Sequence, residues 1–193
     1  MKTWMLSGAV IRGYVQTIER EGLLAGVRAA VPESTRKLID KPPLVVSTVS
    51  GTALDDLLVA VAKERGPSGP RAIARRTGNE SFGVVLKPLL QGTMRMFGSS
   101  PGTLLARTGQ LSALMVREVE FDYRPAGENA GTLTALFPSA PPRATFTGWE
   151  GICEFVCDFS GVSGKVAPHR ALEGGRRFEI DVRWEAAARA PAP

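Results

Sequence analysis

Both cysteines of the chain and its only histidine fall in one stretch, GWEGICEFVCDFSGVSGKVAPH (148–169), with Cys153 and Cys157 four residues apart and His169 twelve further on. Thiols and imidazole are the ligands of zinc and the working groups of thiol chemistry. Zinc, however, takes four ligands, or three and an open position, with thiolates at close spacing in loops or knuckles. Here two thiols stand one helical turn apart on a predicted helix and one imidazole lies a loop away. The Cys-x-x-Cys spacing of a redox pair is absent. Trp149, Ile152, Val156 and Phe159 form a larger apolar set that overlaps the cysteine side, and on such a face cysteine behaves as a small hydrophobe. Both thiols are therefore expected as packing, and no metal site is expected.

The other groups that could do chemistry are as sparse. His169 has no nucleophile elbow and no His-Glu-x-x-His helix to work with. GPSGP (66–70) has glycines without the following lysine that a phosphate-cradling loop needs. Asp55 and Asp56 are adjacent, and Glu118 and Glu120 share a strand face that alternation turns to solvent. The reading is of a protein that is not an enzyme. Lys and Arg outnumber Asp and Glu by 24 to 19, a net charge of +5. The densest basic clusters, RAIARR (71–76) and GGRRFE (174–179), have no stacking aromatics among them, which fits a solvated face better than a nucleic-acid site.

These residues must be positioned by the elements around them. Val10, Ile11, Tyr14, Val15 and Ile18 follow helical spacing, which Gly22 interrupts and GLLAGVRAAVP resumes up to Pro32. VVSTV (45–49) reads as a connector or a short strand. Thr52 and Asp55 predict a capped helix start leading into LDDLLVAVAKER, which GPSGP stops. A long helical pattern covers 71–97, with Ile73, Phe82, Val85, Leu86, Leu90 and Met94 as apolar markers, and Pro88 either kinks it or opens a second helix. Ser100 and Pro101 predict a short capped helix.

After Gly109 the period changes to two. In LMVREVEFDYR (114–124) the mostly apolar set Met115, Arg117, Val119, Phe121 and Tyr123 faces one side and the mostly charged set Val116, Glu118, Glu120, Asp122 and Arg124 the other. PAGENAG is a turn, TLTALFP the partner strand, 146–159 a helix, KVAPHRAL a strand, and RRFEIDVRW alternates Phe178, Ile180, Val182 and Trp184 against charged neighbours. The expected fold is α+β: an N-terminal helical bundle packed on a C-terminal four-stranded antiparallel sheet in strand–strand–helix–strand–strand order, with the helix on the dry face.

A chain of 193 residues suits one domain, here 1–185, and EAAARAPAP leaves 186–193 as an expected disordered tail. Apolar residues make up 44% and charged ones 22%, and no apolar run reaches the roughly 20 residues of a membrane span. No export signal is read, so the cytoplasm is expected. Two cysteines exclude a disulfide scaffold.

Taken together, SGAVIRGYVQTIEREG (7–22), the helical middle and FTGWEGICEFVCDFSGVSGKVAPHRALEGGRRFEIDVRW (146–184) resemble the superfamily of 4-vinyl reductase domains, haem nitric-oxide-binding domains and TRAPP transport subunits. Within it the chain is most similar to small myxobacterial paralogues. The resemblance implies a regulatory or sensory module that binds a small apolar ligand or a partner protein, as a homodimer. The vinyl reductase members carry cysteines beside the histidine of the penultimate strand and in the last hairpin, whereas RALEGGRRFEIDVRW has none. Haem-binding members use a helical histidine and a Tyr-x-Ser-x-Arg motif, whereas this chain has FDYRPAG and no helical histidine, so no cofactor is expected.

What such relatives offer is a pocket between helices and sheet. Here its candidate lining is Phe82, Leu86, Leu90, Trp149 and Ile152, with Arg95 or Arg117 as polar anchor. The alternatives are an interaction subunit with a filled core and a nucleic-acid binder working through Arg71–Arg76.

Overall fold

The computed structural model describes residues 3–185, with the side chains of all of these except 82–87. The side chains of the expected markers Phe82, Val85 and Leu86 and the whole of the expected tail 186–193 therefore lie outside what is described.

Punctuation in the sequence sets the helices. Helix α1 (Gly8–Arg20) ends before Gly22, which adopts a positive φ, and α2 (Leu24–Ala30) ends at Pro32, before α3 (Glu33–Asp40). Helix α4 (Thr52–Arg65) stops at Gly66, again at positive φ. Its cap differs from expectation: Gly51 is the cap residue and the Ser50 hydroxyl accepts from the Thr52 N–H, while Asp55 stands in the first turn as expected and accepts from Thr145. The long pattern after residue 70 is divided into α5 (Gly69–Thr77), a π-helical turn (Gly78–Phe82) and α6 (Gly83–Phe97), with Pro88 inside α6. Ser100 caps α7 (Pro101–Leu105) through its side chain, and α8 (Thr108–Ser112) follows.

The fold is α+β, but the single four-stranded sheet is a correction: there are two antiparallel sheets. The smaller has the order β2-β1-β3, from Met5–Ser7 (β1), Thr48–Ser50 (β2) and Val116–Arg117 (β3). The larger runs β4-β5-β8-β6, with β7 also paired to β8. Its strands are Glu120–Pro125 (β4), Ala130–Leu136 (β5), Gly164–Val166 (β6), Arg170–Leu172 (β7) and Arg177–Trp184 (β8).

Two local devices produce this split. Glu118 adopts φ 65°, in the left-handed region, so one continuous apolar–polar pattern leaves β3 in the small sheet and enters the large sheet as β4. On the other edge, KVAPHRAL is two strands. Val166 faces Val182 and Arg170 faces Glu179, four steps against three, so a bulge of one extra residue holds Pro168 and His169. Proline cannot donate to a ladder, which makes a bulge on an edge strand its natural place.

Helix α9 (Arg143–Phe159) covers the dry face of the large sheet. Phe178, Ile180, Val182 and Trp184 of β8 are buried beneath it, and Phe146, Phe137 and Phe178 stack with centroids 5.1–6.0 Å apart. On its other side α9 meets α5 backbone to backbone. A Cβ on Gly151 would run into the Arg71 carbonyl oxygen and come within 2.9 Å of the Arg75 nitrogen.

Gly151→Ala must push these helices apart, and urea denaturation should show a loss of about 1–3 kcal/mol, in the range of overpacked core substitutions. Gly92→Ala, in α6 where a Cβ meets nothing within 4 Å, should instead gain about 0.5–1 kcal/mol from helix propensity.

Candidate functional site

Helix α9 divides the interior into two environments. Along one side Glu150, Glu154 and Asp158 recur every four residues and meet the arginines of α5. Arg71 bonds Glu150 at 3.1 Å and Glu154 at 2.8 Å and donates to the Val166 carbonyl at 2.9 Å. Arg75 grips Asp158 with two hydrogen bonds of 2.7 Å, and Arg76 pairs with Glu80 and Glu21. The RAIARR arginines are thus engaged in ion pairs within the chain, with Arg75 and Arg76 still about half exposed.

The bulge belongs to the same cluster. Glu150 Oε1 accepts from the His169 backbone N–H at 2.9 Å and from its ring Nδ1–H at 2.7 Å, and the ring packs edge-on against Phe146. Burial on its own would raise the Glu150 pKa. The His169 donors and the Arg71 charge outweigh it and hold the carboxyl below its ordinary value.

The other side of α9 faces an apolar cavity of ≈ 100 Å³. Its walls come from nearly every layer: Trp4 and Leu6 at β1, Val10 and Tyr14 of α1, Leu54 and Leu58 of α4, and Leu90 of α6. Leu104, Leu105, Thr108, Leu111 and Ser112 of the short helices, Met115 and Val116 at β3, and Leu133 of β5 continue the lining. Helix α9 adds Thr145, Gly148, Trp149, Ile152, Cys153, Phe155 and Val156.

Of the residues expected from sequence, Leu90, Trp149 and Ile152 meet here. The side chains of Phe82 and Leu86 lie outside the described residues. Arg95 is exposed and does not line the cavity, because its position on α6 faces solvent, and Arg117 is exposed on an outer groove instead. Sequence reasoning missed Tyr14, Leu104 and Leu111, whose helical spacing reads as ordinary packing, and missed the Glu150–His169 pair, nineteen positions apart.

Beside the cavity a buried carboxylate sits between two wall residues. Asp55 accepts from Thr145 Oγ1 at 2.6 Å and from Trp4 Nε1 at 3.4 Å. Desolvation dominates and, despite these two neutral donors, pushes its pKa up to about 6.

Both cysteines are free and buried, Cys153 in the cavity wall and Cys157 beneath Gly164. Burial pushes the Cys157 thiol up to about 11 and Cys153 higher still, so both stay neutral. Among the described residues no group of three or more His, Cys, Asp or Glu could hold a metal ion, and no helix is long and apolar enough to cross a membrane.

No family model and no curated protein matches the sequence. Solved structures do match in fold. A mutant H-NOX protein from K. algicida, in its Fe(II) unliganded state, superposes with a TM-score of 0.68 at 11% identity over 94% of this chain and 98% of that one. An oxygen-binding H-NOX domain related to soluble guanylate cyclases, in its oxygen complex, gives 0.63 at 12% over 94% and 96%. A structure from work on haem distortion in the H-NOX family gives 0.63 at 11% over 97% and 100%. The chain has the H-NOX fold; its likeness to vinyl reductase domains, TRAPP subunits and myxobacterial paralogues rests on sequence resemblance alone.

Haem does not fit the residues present. Tyr14, Met115 and Cys153 supply donor atoms in the wall, but ≈ 100 Å³ is below the roughly 300–1,000 Å³ of sites for drug-sized ligands, which haem exceeds. His169, the only histidine, is absent from the cavity lining and spends Nδ1 on Glu150.

The Asp55 carboxyl fixes a sign. Its folded pKa, about 6, exceeds the ordinary 3.8, so between these values the folded state binds more protons than the unfolded one and stability falls as pH rises. Other carboxylates act oppositely, so the measurement is a difference. Wild type should lose roughly 2 kcal/mol relative to Asp55→Asn between pH 4 and 6.5, levelling off above pH 7. A flat difference in urea titrations would remove the buried-carboxylate assignment.

Proposed function

We propose that this chain is a sensory or regulatory domain that binds a small apolar molecule directly in the cavity beside α9, without haem. The observation that carries the reading is the apolar cavity itself, set at the junction of helices and sheets in an H-NOX fold. Its ≈ 100 Å³ compares with the about 150 Å³ of an engineered apolar cavity that stays dry and takes benzene or xenon. The ligand class is therefore a gas or a hydrocarbon-like molecule of at most about six heavy atoms.

An interaction subunit with a filled core is the weaker reading, because a filled core leaves no such space. That the domain carries out no chemistry of its own and acts in the cytoplasm as a homodimer belongs to the same proposal: the first two are supported by the catalytic and export motifs not read in the sequence, the homodimer by the resemblance alone.

Xenon tests the site without presupposing the natural ligand. A saturable ¹²⁹Xe chemical-shift change is expected with wild type, and Ile152→Phe, which puts a larger side chain into the lining, should remove it while the circular dichroism spectrum stays native. Protein expressed with excess haem precursor should purify without a Soret band. A stoichiometric Soret band, or xenon binding that ignores the substitution, would refute the proposal.

A further inference from the structure

A second concavity, of ≈ 510 Å³, opens at the surface where the small sheet meets α1 and α6. Four of its lining residues are large apolar side chains left in water: Val46 is 89% exposed, Leu114 66%, Val45 51% and Leu89 41%. Isolated exposed hydrophobes need no explanation, but a cluster around one groove marks a contact surface. Arg117 is the one charged residue among the described lining, and no described acid pairs with it.

The groove also reaches a free sheet edge. Strand β2 is outermost, and Val49 faces Leu6 while the Gly51 N–H bonds the Trp4 carbonyl. Alternation therefore turns the N–H and C=O groups of Thr48 and Ser50 outward, where an extended segment can join the ladder.

The groove and the cavity share one residue: Met115 lines both. Its backbone is fixed on both sides, since the Ser7 N–H donates to its carbonyl at 2.8 Å and its own N–H donates to Ser112 at 2.7 Å. Only the unbranched, adaptable thioether is left to yield when the cavity fills.

We infer that the groove docks an extended apolar segment of a partner protein bearing a carboxylate for Arg117, and that occupation of the cavity changes its affinity through Met115. Only the second half rests on the sensory reading above. A second copy of this chain is the wrong occupant: a two-fold contact would bring the same patch, Arg117 included, against itself, with a net charge of +5 on each copy. That same charge steers an acidic partner inward.

The test uses the full chain and a fluorescent ten-residue peptide alternating valine and glutamate, with a valine–lysine peptide as control, read by anisotropy. The acidic peptide should bind and the basic one should not. Arg117→Glu and Leu114→Ser, both at exposed positions, should each weaken binding tenfold or more with unchanged thermal melts. Equal binding of both peptides, indifference to Arg117→Glu, or a dimer in light scattering that Val46→Asp dissolves, each overturns the docking assignment. Under xenon pressure the peptide Kd should shift threefold or more in wild type and not in Ile152→Phe. Peptide binding that xenon leaves unchanged, in a protein shown to bind xenon, overturns the Met115 link alone. Failure to bind xenon at all removes the sensory reading and leaves the groove standing.

Discussion

Two helices without a side chain between them set the geometry of everything else. At Gly151 the backbone of α9 lies directly on that of α5, and this contact fixes both how deep α9 sits and how it is rotated. With α5 so close, Arg71 cannot extend to solvent. It runs along α9 to Glu150 and Glu154 and ends on the Val166 carbonyl of the sheet edge. Glu150 in turn holds the bulge through two N–H groups of His169. The same rotation that presents the acids to α5 presents Thr145, Trp149, Ile152 and Cys153 to the cavity. The cavity is thus a consequence of how α9 is seated.

The two buried carboxylates show how partners decide the fate of a charge. Glu150 and Asp55 both touch α9 and are both below a tenth exposed, yet their pKa values move in opposite directions. Burial penalises the charged form in each. Glu150 is met by a full positive charge and two N–H donors and stays below its ordinary value. Asp55 is met by a hydroxyl and an indole N–H, both neutral, and rises to about 6. Breaking a buried pair is costly because it leaves one charge uncompensated, so Arg71 ties the seating of α9 to the electrostatics of its acids.

Local signals made much of this architecture legible. The glycines and prolines at 22, 32, 66 and 101 mark real helix ends, and the alternation in β8 buries Phe178, Ile180, Val182 and Trp184 beneath α9. Three features escaped for physical reasons. Strands β1 and β3 are three and two residues long, too short for any periodicity. The switch at Glu118 leaves the apolar–polar pattern intact while a single dihedral redirects the chain. The Glu150–His169 bond depends on a bulge that only the register of β6 and β7 against β8 reveals. For the site, Leu90, Trp149 and Ile152 were recognisable as apolar residues on facing helices. Whether such residues fill a core or border a space depends on the volumes of some twenty neighbours from all layers, and no spacing rule encodes that.

A shared fold with H-NOX domains does not carry a shared content, since layers are specified by pattern and a site by particular side chains. In this chain the space beside α9 is bordered by Trp4, Tyr14, Trp149 and Phe155, aromatic volume that a macrocycle would have to displace. What survives is a small void whose wall, at Met115, is also the floor of a surface groove. β1 and α8 pin that residue at its own carbonyl and amide, so the thioether is the part of it left free to adapt.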